Sequence, residues 1–174
     1  LALTNKEVYV MFENMIRDWF SGNDDYNDFI KAMLMDDLKA MNFYMNRVAA
    51  EMFSSFDSGT KPSGKEPERF YHGFVLGLMA ELTDKYIITS NRESGFGRYD
   101  IMLEPRKRQG DDAVIIEFKV QAEDEKELSD TVKDALRQIE EKGYQTNLIA
   151  KGFPEECIRK YGFAFCGKTV LIGR

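Results

Sequence analysis

The chain has 174 residues, of which 43% are apolar and 13% aromatic. This composition excludes disorder over most of the chain and predicts one domain with a sizeable core. The net charge is −6, from 24 Lys and Arg against 30 Asp and Glu, so the argument for nucleic-acid binding that a strongly basic chain offers is missing.

Three features of the sequence bear on metal sites, disulfides and cellular location: the cysteines, the start of the chain and the hydropathy. Cys157 and Cys166 lack a C-x-x-C spacing and there is a single histidine, which argues against structural zinc and a disulfide framework. The longest nearly apolar stretch, Gly73 to Ala80, is far shorter than the roughly 20 residues that cross a bilayer. With no signal peptide and no initiator Met, we expect a cytoplasmic piece of a longer protein without a membrane partner.

The first third of the chain has helical spacing. Apolar residues recur at three- and four-residue steps from Asn5 to Phe20 and again from about Tyr26 to Phe56. The second stretch is long for one helix, so we expect a break near Asp36-Asp37. Turn-forming residues from Ser58 to Pro67 predict a connection to the next element.

After this connection the pattern alternates between helices and short strands. The spacing predicts helices from Pro67 to about Thr83 and from Glu123 to Lys142, the latter ended by Gly143. The element order is α-α-α-β-β-β-α-β-β-β. The predicted strands are Tyr86–Thr89, Arg98–Leu103, Ala113–Val120, Asn147–Ala150, Phe163–Phe165 and Thr169–Ile172.

One strand carries charge inside an apolar pattern. Because side chains alternate along a strand, Glu117 and Lys119 share a face with Ala113 and Ile115. Burying charge is costly unless the group is paired or coordinates a metal. The alternative is an ion pair on a solvated face of the sheet, which would contribute little.

A second carboxylate lies on the preceding strand. There the alternation places Asp100 with Arg98 and Met102, opposite Tyr99, Ile101 and Leu103. If the strands are neighbours, Asp100 and Glu117 converge. Two close carboxylates repel unless a cation lies between them, and Mg²⁺ prefers such oxygen ligands. Lys119 could then orient a water nucleophile or stabilise charge on a phosphate.

These residues resemble a known family pattern. Asp100 followed by Glu117-Phe118-Lys119 resembles the D-x(n)-E-x-K signature of the PD-(D/E)XK nuclease superfamily, and the resemblance covers about Pro67 to Arg174. Four ordered segments look like the branch found at the C-terminus of bacterial proteins with an N-terminal AAA-ATPase-like domain. They are Phe70–Phe74, Ser90–Gly95, Gly97–Ile101 and Ile115–Lys119.

The resemblance implies an α/β (α+β) fold with an αβββαβ core, in which helices flank a mixed central sheet. It implies a nuclease-like domain at residues 66–174, preceded by an N-terminal helical region at 1–57 that packs on it. It also implies that Asp100 and Glu117 hold Mg²⁺ or Mn²⁺ and that Lys119 assists the attacking water. Gln138 on the following helix can face the site, with Tyr144 near it.

Further site candidates come from the helix before the sheet and from strand two. The first core helix of the family often contributes a glutamate, for which Glu68 and Glu81 both remain open. His72, the single histidine, is another candidate, although a lone histidine on a helix is more often packed or capping. Arg98 lies on the predicted face of Asp100 and could neutralise the carboxylates or contact phosphate.

Two functions follow as hypotheses. The first is a metal-dependent nuclease that hydrolyses phosphodiester bonds, with DNA the expected nucleic acid. The second is an inactive nuclease fold that serves as a binding or regulatory module for the AAA-ATPase-like part of the same protein. The chain departs from the family pattern in having Tyr99 rather than Pro before the aspartate, and it has no Walker A sequence. An exposed helical face is compatible with a homodimer.

Overall fold

The computed structural model describes residues 28–55, 66–107 and 110–174. The predicted helix at Asn5–Phe20 and most of the predicted connection lie outside these residues. Two short 3₁₀ helices, Met79–Leu82 and Glu155–Cys157, join longer elements. The helices are α1 (Asp28–Leu34), α2 (Leu38–Ser55), α3 (Glu66–Leu78), α4 (Leu128–Lys142) and α5 (Thr146–Ala150), and the strands are β1 (Tyr86–Ser94), β2 (Gly97–Pro105), β3 (Ala113–Val120), β4 (Ile158–Cys166) and β5 (Thr169–Gly173).

The predicted break between the first two described helices is confirmed. Asp36 adopts a positive φ of 57°, which an α-helix does not contain. Asp37 then begins α2, since its Oδ1 accepts a hydrogen bond of 2.9 Å from the backbone N–H of Ala40. A short acidic side chain that satisfies such a free N–H is a favoured helix N-cap.

The five strands form one sheet in the order β1-β2-β3-β4-β5. β3 and β4 are parallel and the other neighbours are antiparallel, because α4 crosses over between β3 and β4. Helices α1, α2 and α3 share one core with one face of the sheet, and α4 and the following segment cover the other face. The fold is therefore the mixed sheet flanked by helices that the family resemblance implies.

The predicted strand at Asn147–Ala150 is wrong, because these residues belong to helix α5. Leu148 fills the core below α4, and its carbonyl accepts a hydrogen bond of 3.1 Å from the N–H of Phe153. A four-residue apolar run does not distinguish helix from strand. Since β3 pairs directly with β4, the sheet has no position between them for this segment.

Two asparagines of α2 close the outer edge of β5. Asn42 exchanges two hydrogen bonds with the backbone of Ile172, donating to its carbonyl at 2.9 Å and accepting from its N–H at 2.8 Å. Asn46 does the same with Val170, at 2.7 and 3.0 Å. The side chains are four residues apart and so lie on one helix face. The helical segment is thus hydrogen-bonded to the sheet as well as packed on it.

No helix among the described residues is long and apolar enough to cross a membrane.

Candidate active site

The two faces of β3 match the alternation read from the sequence. Glu117 lies on the α4 side with Ala113 and Ile115, and it is only 4% exposed. Lys119 follows on the same side and is half-buried. The residues on the other face belong to the core under α1, α2 and α3; they are Val114, Ile116 and Phe118.

Asp100 lies where β2 separates from β3. The last paired residues are Ile101 and Ile116, beyond which the two strands no longer form a ladder. Beyond this point the N–H of Phe118 bonds a side chain of β2 instead: Oδ2 of Asp100 accepts a hydrogen bond of 2.9 Å from it. This separation of the strands leaves room for a carboxylate beside Glu117.

The predicted faces of β2 are partly wrong. Tyr99 was expected to lie with Ile101, but it packs in the α4-side core with Met102, whereas Ile101 packs in the other core. The alternation is interrupted at Asp100, and opposite it in β1 Asn91 has a positive φ of 52° and is missing from the paired register. Such a conformation turns the strand locally and re-aims the side chains that follow.

Glu117 has one satisfied and one unsatisfied oxygen. Its Oε1 accepts a hydrogen bond from Nε2 of Gln138 on α4. Its Oε2 is buried and has no hydrogen-bond partner in the described part of the chain. A buried acceptor without a partner is costly, so this oxygen is a position at which an added ligand would stabilise the site.

The electrostatics of the two carboxyl groups favour an added cation. Burial, followed by the charge of Asp100, raises the pKa of Glu117 to about 8, although Lys119, the Asp100 backbone and Gln138 act in the opposite direction. Burial also raises the pKa of Asp100, which the Phe118 N–H and the charge of His72 partly offset. A divalent ion would supply the positive charge that these groups lack.

Gln138 and Tyr144 form a short chain of hydrogen bonds behind Glu117. Besides contacting Glu117, Nε2 of Gln138 donates to the hydroxyl of Tyr144 at 3.1 Å. That hydroxyl donates to the backbone carbonyl of Arg98 at 2.8 Å. Gly143 ends helix α4 in a left-handed conformation with φ 61°. The turn of the backbone at this residue brings Tyr144 next to Gln138. These hydrogen bonds link α4 to both strands that bear the carboxylates.

His72 reaches the site from the other face of the sheet. Its Nε2 lies 2.9 Å from Oγ of Ser90, and its ring packs against Phe118 with centroids 5.5 Å apart. Its charge lowers the pKa of Asp100, so the two side chains are close. Ser90 was missed by sequence reasoning, because a serine just after the predicted strand Tyr86–Thr89 carries no signal of this contact.

Lys119 and Arg98 flank the carboxylates differently. The charge of Lys119 lowers the pKa of Glu117, which places its ammonium near that carboxyl group. Arg98 is exposed and only its backbone contacts the Gln138–Tyr144 chain. Neither side chain forms a hydrogen bond or ion pair within the described ranges.

The two helix glutamates are at different distances from the site. Glu68 is one turn before His72 on α3, so the helical repeat places both positions on one face. Glu81 follows His72 by nine residues, in the 3₁₀ helix after α3, which is roughly 15 Å further along. The structure therefore brings the position of Glu68 to this end of α3 and leaves Glu81 at the other.

The donor set is small but has the right chemistry for magnesium. Within the residues that the structure describes, no group of three or more His, Cys, Asp or Glu side chains could hold a metal. Mg²⁺ is commonly held by one or two carboxylates, with water and substrate phosphates completing the shell. The pair of Asp100 and Glu117, with an unpartnered carboxylate oxygen, fits that mode.

A second charged cleft of about 420 Å³ lies near the other ends of β3 and β4. Here the charges are paired with each other. Arg159 bonds Asp112 through Nε at 2.6 Å and donates to the last carbonyls of α1. Asp36 accepts from Tyr161 at 2.7 Å and pairs with Arg174. These contacts account for the cleft as a structural network rather than a ligand site.

Comparison with known proteins agrees with this geometry. A family model described as the PD-(D/E)XK nuclease superfamily matches residues 66–174, from the start of α3 to the end of the chain. The match covers 109 of the 174 residues, and it includes both carboxylates, Lys119 and the helix that bears Gln138. No curated protein matches the sequence. The chain belongs to the PD-(D/E)XK nuclease superfamily.

Proposed function

We propose that the chain hydrolyses phosphodiester bonds of nucleic acid in a metal-dependent reaction, with Asp100 and Glu117 as ligands of Mg²⁺ or Mn²⁺. One observation carries the proposal. Oε2 of Glu117 is buried without a partner beside a second carboxyl group whose charge raises its pKa. A structural role alone gives no reason to keep two repelling acids together in an apolar setting.

The surrounding residues divide into catalytic and positioning roles. When bound, Mg²⁺ supplies Lewis-acid chemistry that activates water and offsets charge on phosphate oxygens. Lys119, near Glu117 and without a hydrogen bond or ion pair to the described residues, is proposed to orient the attacking water or to stabilise phosphate charge. Gln138 holds Glu117, and Tyr144 holds Gln138, so both are positioning residues.

The same geometry supports roles for two residues of α3. His72 lies beside Asp100, where its imidazole could donate a hydrogen bond to that carboxylate or to a phosphate. We favour Glu68 over Glu81 as the additional glutamate, because its position is on the His72 face of α3. Arg98 remains a candidate for a phosphate contact, since its guanidinium is exposed next to the site.

A cleavage assay tests the proposal. Labelled DNA and RNA are incubated with the chain in Mg²⁺, Mn²⁺ or EDTA, and we expect metal-dependent cleavage. Asp100→Asn and Lys119→Ala should each lower it at least about a hundredfold. Asp134→Asn, a matched acid variant on an exposed face of α4, should cleave at the wild-type rate. Full activity in either site variant would contradict the assignment.

Calorimetric titration with Mn²⁺ separates metal binding from catalysis. We expect wild-type binding that is lost in Glu117→Gln, because the amide keeps the shape of the side chain but removes the ligand charge. The unchanged circular dichroism of the variant serves as the control for folding. Equal binding by the two proteins would show that Glu117 is not a metal ligand.

The inactive binding module is the second candidate. It is favoured by the absence of a third acidic or histidine ligand within the described residues and by the net charge of −6. Its proposed partner is the AAA-ATPase-like part of the same protein. Binding of that part, expressed separately, together with no metal affinity would select this candidate. DNA as the substrate, a homodimer and a cytoplasmic location also remain predictions.

A further inference from the structure

The turn between β1 and β2 holds an aromatic side chain in solvent. Phe96 is 88% exposed, the most exposed large apolar side chain in the described part of the protein. Single exposed apolar residues are common and need no explanation by themselves. Phe96 is distinguished by how its backbone is held and by what surrounds it.

The turn is fastened to the end of helix α4. The N–H of Phe96 donates to the carbonyl of Lys142 at 2.7 Å, and Oγ of Ser94 donates to the carbonyl of Tyr144 at 2.8 Å. Gly95 has φ +60°, and a Cβ there would lie 2.1 Å from the Lys142 carbonyl. Only glycine permits this close approach. The ring of Phe96 is therefore presented from a fixed backbone.

Three exposed cations lie near the turn, together with the exposed carboxylates of Glu93 and Glu141. Arg92, Arg98 and Lys142 are all exposed around the turn. The guanidinium groups of Arg92 and Arg98 form no hydrogen bond or ion pair with the residues described. Glu93 lies opposite Arg98 in the strand register but makes no ion pair with it. These cations are thus free to meet an anionic partner.

The turn and the carboxylates share one framework. Phe96 precedes Asp100 by four residues along β2, roughly 13 Å in an extended strand. Tyr144 bonds both the turn, through its carbonyl, and the Gln138–Glu117 contact, through its hydroxyl. Arg98 lies between the ring and Asp100 along the strand. A polyanion lying along β2 would therefore meet the ring, then a cation, then the site.

We propose that Phe96 is a stacking platform for an unpaired base, with Arg92 and Arg98 contacting the backbone phosphates. The substrate class would then be single-stranded nucleic acid, because the faces of duplex bases are already occupied by neighbouring bases. Aromatic side chains beside a positively charged track are the usual means of binding single strands. The inference rests on the proposed hydrolase function, because it takes the bound strand to be the substrate of that reaction.

A binding experiment on the full 174-residue chain tests it in EDTA, where hydrolysis does not interfere. Fluorescence anisotropy is measured with labelled thymidine and uridine oligonucleotides of about 15 nucleotides and with a matched duplex. Phe96→Ala should weaken single-strand binding roughly 5- to 100-fold, and Phe96→Trp should preserve it. Phe43→Ala, which removes an aromatic ring that is 71% exposed on α2, should bind as wild type does.

The outcomes separate this inference from the hydrolase proposal. Equal binding by Phe96→Ala and wild type, or tighter wild-type binding to the duplex, would overturn the stacking role whatever the cleavage assay shows. Phe96-dependent binding and quenching of a 2-aminopurine base would support it even if no metal-dependent cleavage is found.

Discussion

Acidic side chains lie near both ends of the parallel strands β3 and β4. They are neutralised at one end and not at the other. At one end Asp112 is matched by Arg159, and Asp36 by Tyr161 and Arg174. At the other end Glu117 faces a second carboxyl group and keeps one oxygen without a partner.

The paired end contains a cleft of about 420 Å³, but its groups already satisfy one another. At the carboxylate end, Oε2 of Glu117 has no hydrogen-bond partner among the described residues. We therefore expect the reaction to take place at the carboxylates that lack a neutralising partner, and not in the cleft of about 420 Å³. Three variants test this contrast.

The largest effect on stability should come from the paired end. Asp112→Ala leaves the half-buried Arg159 guanidinium without its carboxylate, and we expect the free energy of unfolding to fall by about 2 kcal/mol. Urea unfolding monitored by circular dichroism measures this. Asp134→Ala, which breaks an exposed pair with Arg137, is the matched control and should change stability by less than about 0.5 kcal/mol. Similar values for the two variants would show that the network is not structural.

At the carboxylate end, removing an ionisable group should raise the free energy of unfolding rather than lower it. In EDTA the folded chain holds a proton on Glu117 up to about pH 8, whereas the unfolded chain releases it near 4.5. The folded state binds more protons in this window, so this group's contribution to stability is lost as pH rises through it.

Glu117→Gln should therefore be more stable than wild type at pH 8 by at least about 1 kcal/mol, one pKa unit being worth ~1.4 kcal/mol. The gain should be much smaller at pH 5. Urea unfolding at both pH values measures it, and a difference independent of pH would contradict the electrostatic origin. Asp100, whose pKa is also raised, would keep part of the slope in the variant.

The smallest effect is expected behind the site. Tyr144→Phe removes one partner of Gln138 but leaves the bond between Gln138 and Glu117, so only the orientation of the amide is loosened. We expect metal-dependent cleavage to fall about threefold, with a normal metal dissociation constant. A loss as large as that of Asp100→Asn would mean that Tyr144 contacts the substrate itself.

The parts of this picture that could be predicted rest on local repeats. The alternation in β3 predicts that Glu117 shares a face with Ala113 and Ile115, and the 3.6-residue period of α4 places Gln138 on the edge of the buried face. The acidic pair at Asp36-Asp37 identifies the helix break correctly. In each case the signal and the structure involve the same few neighbouring residues.

The parts that could not be predicted depend on distant contacts or on single backbone angles. The change of face at Tyr99 occurs beside the point where Asn91 of β1 has a positive φ, and a period of two shows neither feature. Helix α5 replaces a predicted strand because the adjacent pairing of β3 and β4 excludes another strand between them. The role of Ser90 beside His72 needs two elements to meet. Asparagine in a strand tolerates positive φ, so Asn91 was the available warning.

The asparagines of α2 determine where the chain can be truncated without exposing the edge of the sheet. Asn42 and Asn46 present to β5 the same donors and acceptors as a sixth strand would, so the sheet is terminated by a surrogate strand. The family match begins only at residue 66. A fragment trimmed to that boundary would bare the β5 edge, a template for intermolecular strand pairing and aggregation. We therefore expect a fragment that begins at residue 66 to aggregate more readily than the whole chain.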